Sequence, residues 1–128
     1  MASRAEIQLK IIDVVTQVTL ADKSNVNGDS HLFDDLGVES IDFIDIIYNL
    51  DSAFGVEISS DMLFTDKDFF APESGNWAAG GLTDKGKQAL QAFGYLNKAR
   101  ALGPHAQQYL YSIEMLVDFI ESKLGETA

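Results

Sequence analysis

Phe33-Asp34-Asp35-Leu36-Gly37-Val38-Glu39-Ser40-Ile41-Asp42-Phe43-Ile44-Asp45-Ile46-Ile47-Tyr48-Asn49-Leu50-Asp51 is the stretch whose reading decides the fold. Gly37 offers a backbone position open to positive φ, Ser40 is a good N-cap type, and neither Gly nor Pro follows until Gly55. The reading is a tight turn feeding a helix, with Ser40 exposed at its start. Phe43, Ile47, Leu50 and Phe54 recur at helical spacing and form one apolar stripe, which Ile44 and Ile46 widen. Burying each large apolar side chain is worth roughly 1.5–3 kcal/mol, so this face goes inward and leaves Asp42, Asp45 and Asp51 on a carboxylate rim in water.

Taken alone, a serine ahead of a periodic apolar helix is an ordinary N-cap. The context Asp35-Leu36-Gly37-Val38-Glu39-Ser40-Ile41-Asp42 says more, because it resembles the attachment motif of acyl carrier proteins, written D-[ST]-L around a central serine. Glu39 stands where that motif has Asp, and Ile41 where it has Leu. The resemblance implies that Ser40 is esterified by the 4′-phosphopantetheine arm of coenzyme A, whose thiol carries acyl groups as thioesters. It also implies that Asp35, Glu39, Asp42, Asp45 and Asp51 belong to an acidic partner-binding surface. Phe54-Gly55-Val56-Glu57-Ile58 resembles the segment that closes that helix. A phosphodiester on Ser40 would sit where the helix N-terminus favours an anion, whereas Asp34, Asp35, Glu39 and Asp42 oppose it unless a divalent cation or a basic partner offsets them.

The 128 residues suit one domain, and a hydrophobic content of 46% allows a real core. A formal net charge of −11 argues against nucleic acid or an anionic membrane as partner and favours basic protein surfaces. With no cysteine, disulfides and thiolate metal sites are excluded. Met1-Ala2-Ser3-Arg4-Ala5-Glu6 lacks the signal-peptide pattern and no apolar run approaches the roughly 18 residues of a membrane span, so a cytoplasmic monomer is expected.

Outward toward the N-terminus, Ser3 and Glu6 stand in capping-box register ahead of Ile7, Ile11, Val15 and Val18, joined by Ile12 and Val14. This predicts an amphipathic helix ending near Asp22. Residues 23–32 are turn-rich; Asn25, Asn27, Gly28 and Asp34 fit places in a calcium loop, but Lys23 at the first ligand position and Asp at the last break the match. Toward the C-terminus, Ser59 to Phe64 reads as a short capped helical turn, matching the family's third helix. Ser112 caps a final helix through Leu124, with Gly125 following and Ile113, Leu116, Val117, Ile120 and Leu124 as its stripe beside Phe119.

The resemblance therefore implies a small all-α, antiparallel four-helix carrier bundle with core 3–65 and 111–125. Residues of about 66–110 are an insertion where carriers have a short turn. Its first part, with Phe69, Phe70, Pro72 and Gly75 to Gly81, reads as an irregular loop. Thr83-Asp84 then starts a helix through Ala89, Leu90 and Phe93, which Gly94 either caps or interrupts or which continues from Tyr95 to Leu102, until Gly103-Pro104 stops it. From Thr83 to Leu110 the insertion carries Lys85, Lys87, Lys98 and Arg100 against Asp84 alone. One reading packs Leu90, Phe93 and Leu96 on the bundle and leaves the cations solvated. The other is a lid or wall that shapes an acyl cavity or selects a partner.

A catalytic site is not expected. Ser40 lacks the flanking glycines of a nucleophile elbow. His31 reads as a solvated loop residue and His105 as a first-turn helix residue, too few for a triad or a zinc site. The chain reads as a specialised acyl carrier, loaded by a phosphopantetheinyl transferase and served by acyl-transferring or fatty-acid synthesis enzymes with basic docking surfaces. The alternatives are a peptidyl or polyketide carrier and an unmodified acidic module that binds basic partners.

Asp29 to Asp66 holds ten acidic residues and no Lys or Arg within the stretch. Self-repulsion there should relax with screening, so the melting temperature is expected to rise with magnesium and with salt. A thermal melt flat across both series would contradict this.

Overall fold

The computed structural model of the protein describes residues 3–66, 68–79 and 81–127. Met1 and Ala2 of the leader reading, and Gly80 of the expected loop, lie outside the described residues.

Helix α1 spans Arg4–Thr19. The Ser3 hydroxyl accepts the Glu6 N–H at 3.2 Å and donates to the Glu6 carboxylate at 3.1 Å. Ile7, Ile11, Ile12, Val14 and Val15 are buried, as the 3.6-residue period requires, while Val18 is only partly covered. The helix stops short of Asp22, because Leu20 turns left-handed at φ 63° and its N–H closes on the Thr16 carbonyl. Helix α2 spans Ser40–Phe54 and is capped by Gly55. The last helix, α6, spans Ile113–Thr127 and runs through Gly125 rather than stopping there. The Ser112 hydroxyl accepts the Met115 N–H at 3.2 Å, as a cap should.

α1 packs on both α2 and α6. Lys10 lies 5.1 Å above the Phe54 ring of α2, and Arg4 reaches Asp118 at 2.8 Å and Glu121 at 3.1 Å on α6. Among the described residues, no helix is long and apolar enough to cross a membrane.

The segment between α2 and α6 departs from expectation in part. Ser60–Met62 forms the short helical turn read there, a single 3₁₀ turn without a side-chain cap bond, and Leu63 leaves it in extended backbone to reach the core. The wholly helical reading is also broken: β1 (Trp77–Ala78) and β2 (Gly81–Leu82) form an antiparallel ribbon, with Trp77 opposite Leu82. The Thr83 N–H closes it on the Asn76 carbonyl at 3.0 Å. Helix α3, Asp84–Gln91, then starts where Thr83-Asp84 predicts, with the Thr83 hydroxyl accepting the Gly86 N–H. Gly86 is needed for the close approach, since a Cβ there would lie 2.3 Å from the Asn76 carbonyl oxygen.

Of the two courses open after Phe93, the chain takes the interruption: α3 does not continue through Tyr95. The chain turns at Phe93, whose carbonyl takes the Lys98 ammonium, and Asn97 caps a separate turn, α4 (Lys98–Ala101). A further turn, α5 (Ala106–Tyr109), follows Gly103-Pro104, with His105 at its N-cap position rather than inside it.

This region is core. Phe69, Leu90, Leu96, Ala101, Tyr109 and Leu110 are buried with the apolar faces of α1, α2 and α6, and Phe93 packs against them. Its cations are not simply solvated either. The Lys85 ammonium donates to the Ser74 carbonyl at 2.7 Å, and Arg100 pairs with Glu114 of α6, lies 3.8 Å from Asp29 and sits 4.9 Å over the Tyr109 ring.

The Tyr109 hydroxyl donates to the Asp118 carboxylate at 2.6 Å and accepts the Asn97 N–H at 3.0 Å. Tyr109→Phe removes both bonds from part-buried partners, so a loss of about 0.5–1.5 kcal/mol is expected from urea unfolding.

Tyr95, Tyr109 and Tyr111 all have pKa values raised above the ordinary 10, chiefly because burial disfavours the tyrosinate. A raised folded pKa gives stability that is complete below the unfolded value near 10 and is lost as pH climbs through the folded values. The urea midpoint should therefore fall above pH ~10. Tyrosinate absorbance should lag free tyrosine until unfolding releases it.

Candidate functional site

The loop that delivers Ser40 is held by backbone bonds to the segment before α6. The Leu32 N–H donates to the Tyr111 carbonyl at 2.9 Å, the Ile113 N–H to the Ser30 carbonyl at 3.0 Å and the Glu114 N–H to the Gly28 carbonyl at 3.0 Å, around a bridge between His31 and Ser112. His31 is not the solvated residue the sequence suggested. Its side chain is 15% exposed, and its Nδ1 accepts the N–H groups of Phe33 at 3.2 Å and Asp34 at 3.0 Å. The Val38 N–H then returns to the Leu32 carbonyl at 2.9 Å, and Gly37 takes the positive φ expected of it, 66°.

Ser40 emerges at the first helical position, not at the N-cap. Glu39 occupies the cap position with extended backbone, and its N–H donates to the Asp42 carboxylate at 3.0 Å. The N-cap reading of Ser40 is thereby corrected by one residue, since the Asp42 carboxylate closes the helix start on Glu39. Ser40 is exposed as predicted, on a first turn whose N–H groups and dipole favour an anion.

On α2, Phe43, Ile46, Ile47 and Leu50 are buried, and Phe54 is partly covered. Ile44 is not part of that stripe. It is 65% exposed and, with Ile41 at 72% and Tyr48 at 71%, makes an apolar strip on the outer surface of the helix. Spacing alone could have found it, because residues 41, 44 and 48 repeat on a face of their own.

The predicted acidic residues divide. The Asp35 carboxylate accepts the His31 N–H at 2.7 Å, Asp42 that of Glu39, and Asp51 that of Ile58 at 3.1 Å, so each of these also holds local backbone. Glu39 and Asp45 are exposed, with Asp45 beside the apolar strip.

Ser40 borders a cavity of about 210 Å³ lined by Phe33, Phe43, Ile44, Ile47, Thr65 and Tyr111. That is below the roughly 300–1,000 Å³ of pockets that enclose drug-sized ligands, and suits a thin chain. A second cavity, of about 330 Å³, lies beyond and shares Phe33 and Tyr111 as lining; Phe70, Gln107 and Leu110 close it from the inserted region. Tyr111 and Thr65 were not singled out by sequence reasoning, since Tyr111 is distant along the chain and has no pattern around it. Tyr111 stands out in the structure. Its backbone is left-handed at φ 67°, a conformation that costs a non-glycine residue about 1–3 kcal/mol. It is buried, and its hydroxyl has no hydrogen-bond partner among the described residues.

An exposed hydroxyl at a helix start, with a narrow apolar cavity at its side, fits a covalent phosphodiester arm and a chain-like cargo. Among the described residues, no group of three or more His, Cys, Asp or Glu is placed to hold a metal ion.

Comparison with known proteins agrees with the geometry. A family model described as a phosphopantetheine attachment site matches residues 10–68. The acyl carrier protein AcpXL of Brucella melitensis is 39% identical over 49 residues, 38% of this chain and 53% of that protein, so the chain spans about half the length of such relatives. The acyl carrier protein of Thermotoga maritima is 38% identical over 58 residues, 45% of this chain and 72% of its own. That of Syntrophobacter fumaroxidans is 33% identical over 78 residues, 59% of this chain and 96% of its own. No solved structure matches. Acyl carrier proteins are carriers rather than enzymes, and the attachment-site model implies a covalent 4′-phosphopantetheine. A mainly helical fold, an exposed serine at the head of α2 and relatives matched over most of their length place this chain in the acyl carrier protein family.

Proposed function

We propose that Ser40 is the attachment residue for 4′-phosphopantetheine and that the chain carries acyl groups for a specialised fatty-acid or lipid pathway. The observation that carries this reading is the exposed Ser40 bordering the apolar cavity between α2 and Tyr111. When bound, the arm supplies a thiol on which acyl groups are held as thioesters. The residues of this chain do the rest. The first turn of α2 favours the phosphodiester charge, and Phe33, Phe43, Ile44 and Ile47 shield an apolar chain from water.

Residues of about 66–110 are read as an insertion into a carrier core of 3–65 and 111–125, with the third carrier helix reduced to the turn at Ser60–Met62. Its contribution of Phe70, Gln107 and Leu110 to the second cavity supports a role in cargo choice, as does likeness to proteins named AcpXL alongside general acyl carriers.

Partner enzymes, beginning with a phosphopantetheinyl transferase, meet the outer face of α2. Ile41, Ile44 and Tyr48 supply a desolvated centre and Glu39 and Asp45 a charged rim, a division suited to basic docking surfaces. Asp35, Asp42 and Asp51 add negative potential while holding their local backbone bonds.

Intact mass after incubation with coenzyme A, magnesium and a broad-specificity phosphopantetheinyl transferase tests the site. A gain of one phosphopantetheine is expected in the wild-type chain and none in Ser40→Ala. No gain, with the transferase active on another carrier, would leave an acidic binding module in place of a carrier.

A further inference from the structure

Tyr111 combines three properties that packing alone does not require of one residue. Its backbone is left-handed, its side chain is buried, and its hydroxyl has no partner among the described residues. The ring itself is well packed, 4.8 Å from Phe33 and 5.3 Å from Phe64 between centroids, so a phenylalanine would fill the same space without burying an unsatisfied hydroxyl. Backbone strain and an orphaned polar atom coincide in one residue, and that residue lines the cavity that Ser40 borders.

Burial is the main reason the hydroxyl holds its proton, and Asp66, Tyr95 and Asp68 add to it; the Tyr95 oxygen itself accepts the Phe64 N–H at 2.9 Å. Asp66 and Asp68 follow Thr65 along the chain, and Thr65 lines the Ser40 cavity. The rest of that wall is Phe33, Phe43, Ile44 and Ile47. Tyr111 is thus a buried polar point in a lining that is otherwise apolar apart from Thr65 and Ser40 at its edges.

We propose that Tyr111 is a recognition residue for the tethered cargo, its hydroxyl donating a hydrogen bond to an oxygen atom of the chain carried on Ser40. The proposal rests on Ser40 as the attachment residue. The oxygen belongs either to an amide carbonyl of the arm or to the acyl group, at its thioester or as a substituent further along. In both cases a group that is unsatisfied in the unmodified protein gains its partner on loading, which couples occupancy of the cavity to stability.

The test compares the unmodified, phosphopantetheinyl, hexanoyl and 3-hydroxyhexanoyl forms of the wild-type chain and of Tyr111→Phe. Each form is made with the matching coenzyme A derivative and verified by intact mass. Unmodified Tyr111→Phe is expected to melt no lower than the wild type, because only an unpartnered hydroxyl is removed. Loading should raise the wild-type melting temperature about 3–6 °C more than that of the variant, the size of one hydrogen bond in a domain of this length. The Tyr111 Cζ resonance, followed in the wild type by carbon NMR, should move on the same loading step. A difference that appears with the bare arm assigns the partner to the arm. One that appears only with an acyl group assigns it to the acyl chain, and to its substituent if the 3-hydroxy form alone responds. Equal rises in both proteins, or a Cζ resonance indifferent to loading, overturns the proposal while leaving Ser40 as the attachment residue. Absence of any mass gain overturns both. The resonance decides alone if the variant fails to fold.

Discussion

The backbone bonds between residues 28–32 and residues 111–114 are the constraint on which the rest of this structure depends. The loop from Val26 to Glu39 has little helical or sheet structure of its own to fix its path. Three N–H···O bonds to the start of α6, at 2.9–3.0 Å, fix it instead. Release of that clamp would leave α2 packed on α1 but free its leading turn to move. The clamp also explains Tyr111: the residue that accepts from Leu32 turns left-handed at φ 67° so that its carbonyl faces the loop while its ring enters the core. Strain at one residue is offset by order at the whole approach to Ser40.

That arrangement makes the segment between α2 and α6 part of the site rather than an ornament on the bundle. Its last residues hand the chain to Tyr111, and its aromatic rings continue from the cavity outward. Tyr111 contacts Phe64 at 5.3 Å, Phe64 contacts Phe69 at 5.2 Å, Phe69 contacts Phe70 at 5.0 Å and Phe70 contacts Trp77 of β1 at 5.3 Å. A packed row of this kind transmits displacement poorly absorbed elsewhere, since interiors have little free volume. Arg100 adds an electrostatic tie between the same region, α6 through Glu114 and the front loop through Asp29. The acidic face is therefore not without internal cations, although within the stretch from Asp29 to Asp66 it has none.

The long helices and the exposed serine were legible in the sequence because their signals are local. Ile7, Ile11 and Val15 of α1, Phe43, Ile47 and Leu50 of α2, and Ile113, Leu116 and Ile120 of α6 are all buried where the period places them. What was not legible depends on distant partners. After α3 the Phe93 carbonyl takes the Lys98 ammonium and the Asn97 N–H goes to the Tyr109 hydroxyl, so the chain turns there through partners distant in sequence. Ile44 was assigned inward since hydrophobicity alone does not separate a core stripe from a docking strip. Tyr111 was invisible, as neither its handedness nor its orphaned hydroxyl follows from its neighbours in the chain.

The one-residue shift of the helix cap has a chemical consequence. An N-cap serine spends its hydroxyl oxygen on a backbone N–H of the first turn, and esterifying it would cost the helix that bond, typically about 1 kcal/mol. In this chain the cap position belongs to Glu39, and Asp42 closes the start of the helix by accepting the Glu39 N–H. Ser40 stands inside the first turn, one residue past the cap. With Ser40 as the proposed attachment residue, capping and attachment would fall to adjacent side chains. Glu39 in place of aspartate is consistent with that division, because the position asks for extended backbone and a carboxylate that can share a capping box with Asp42.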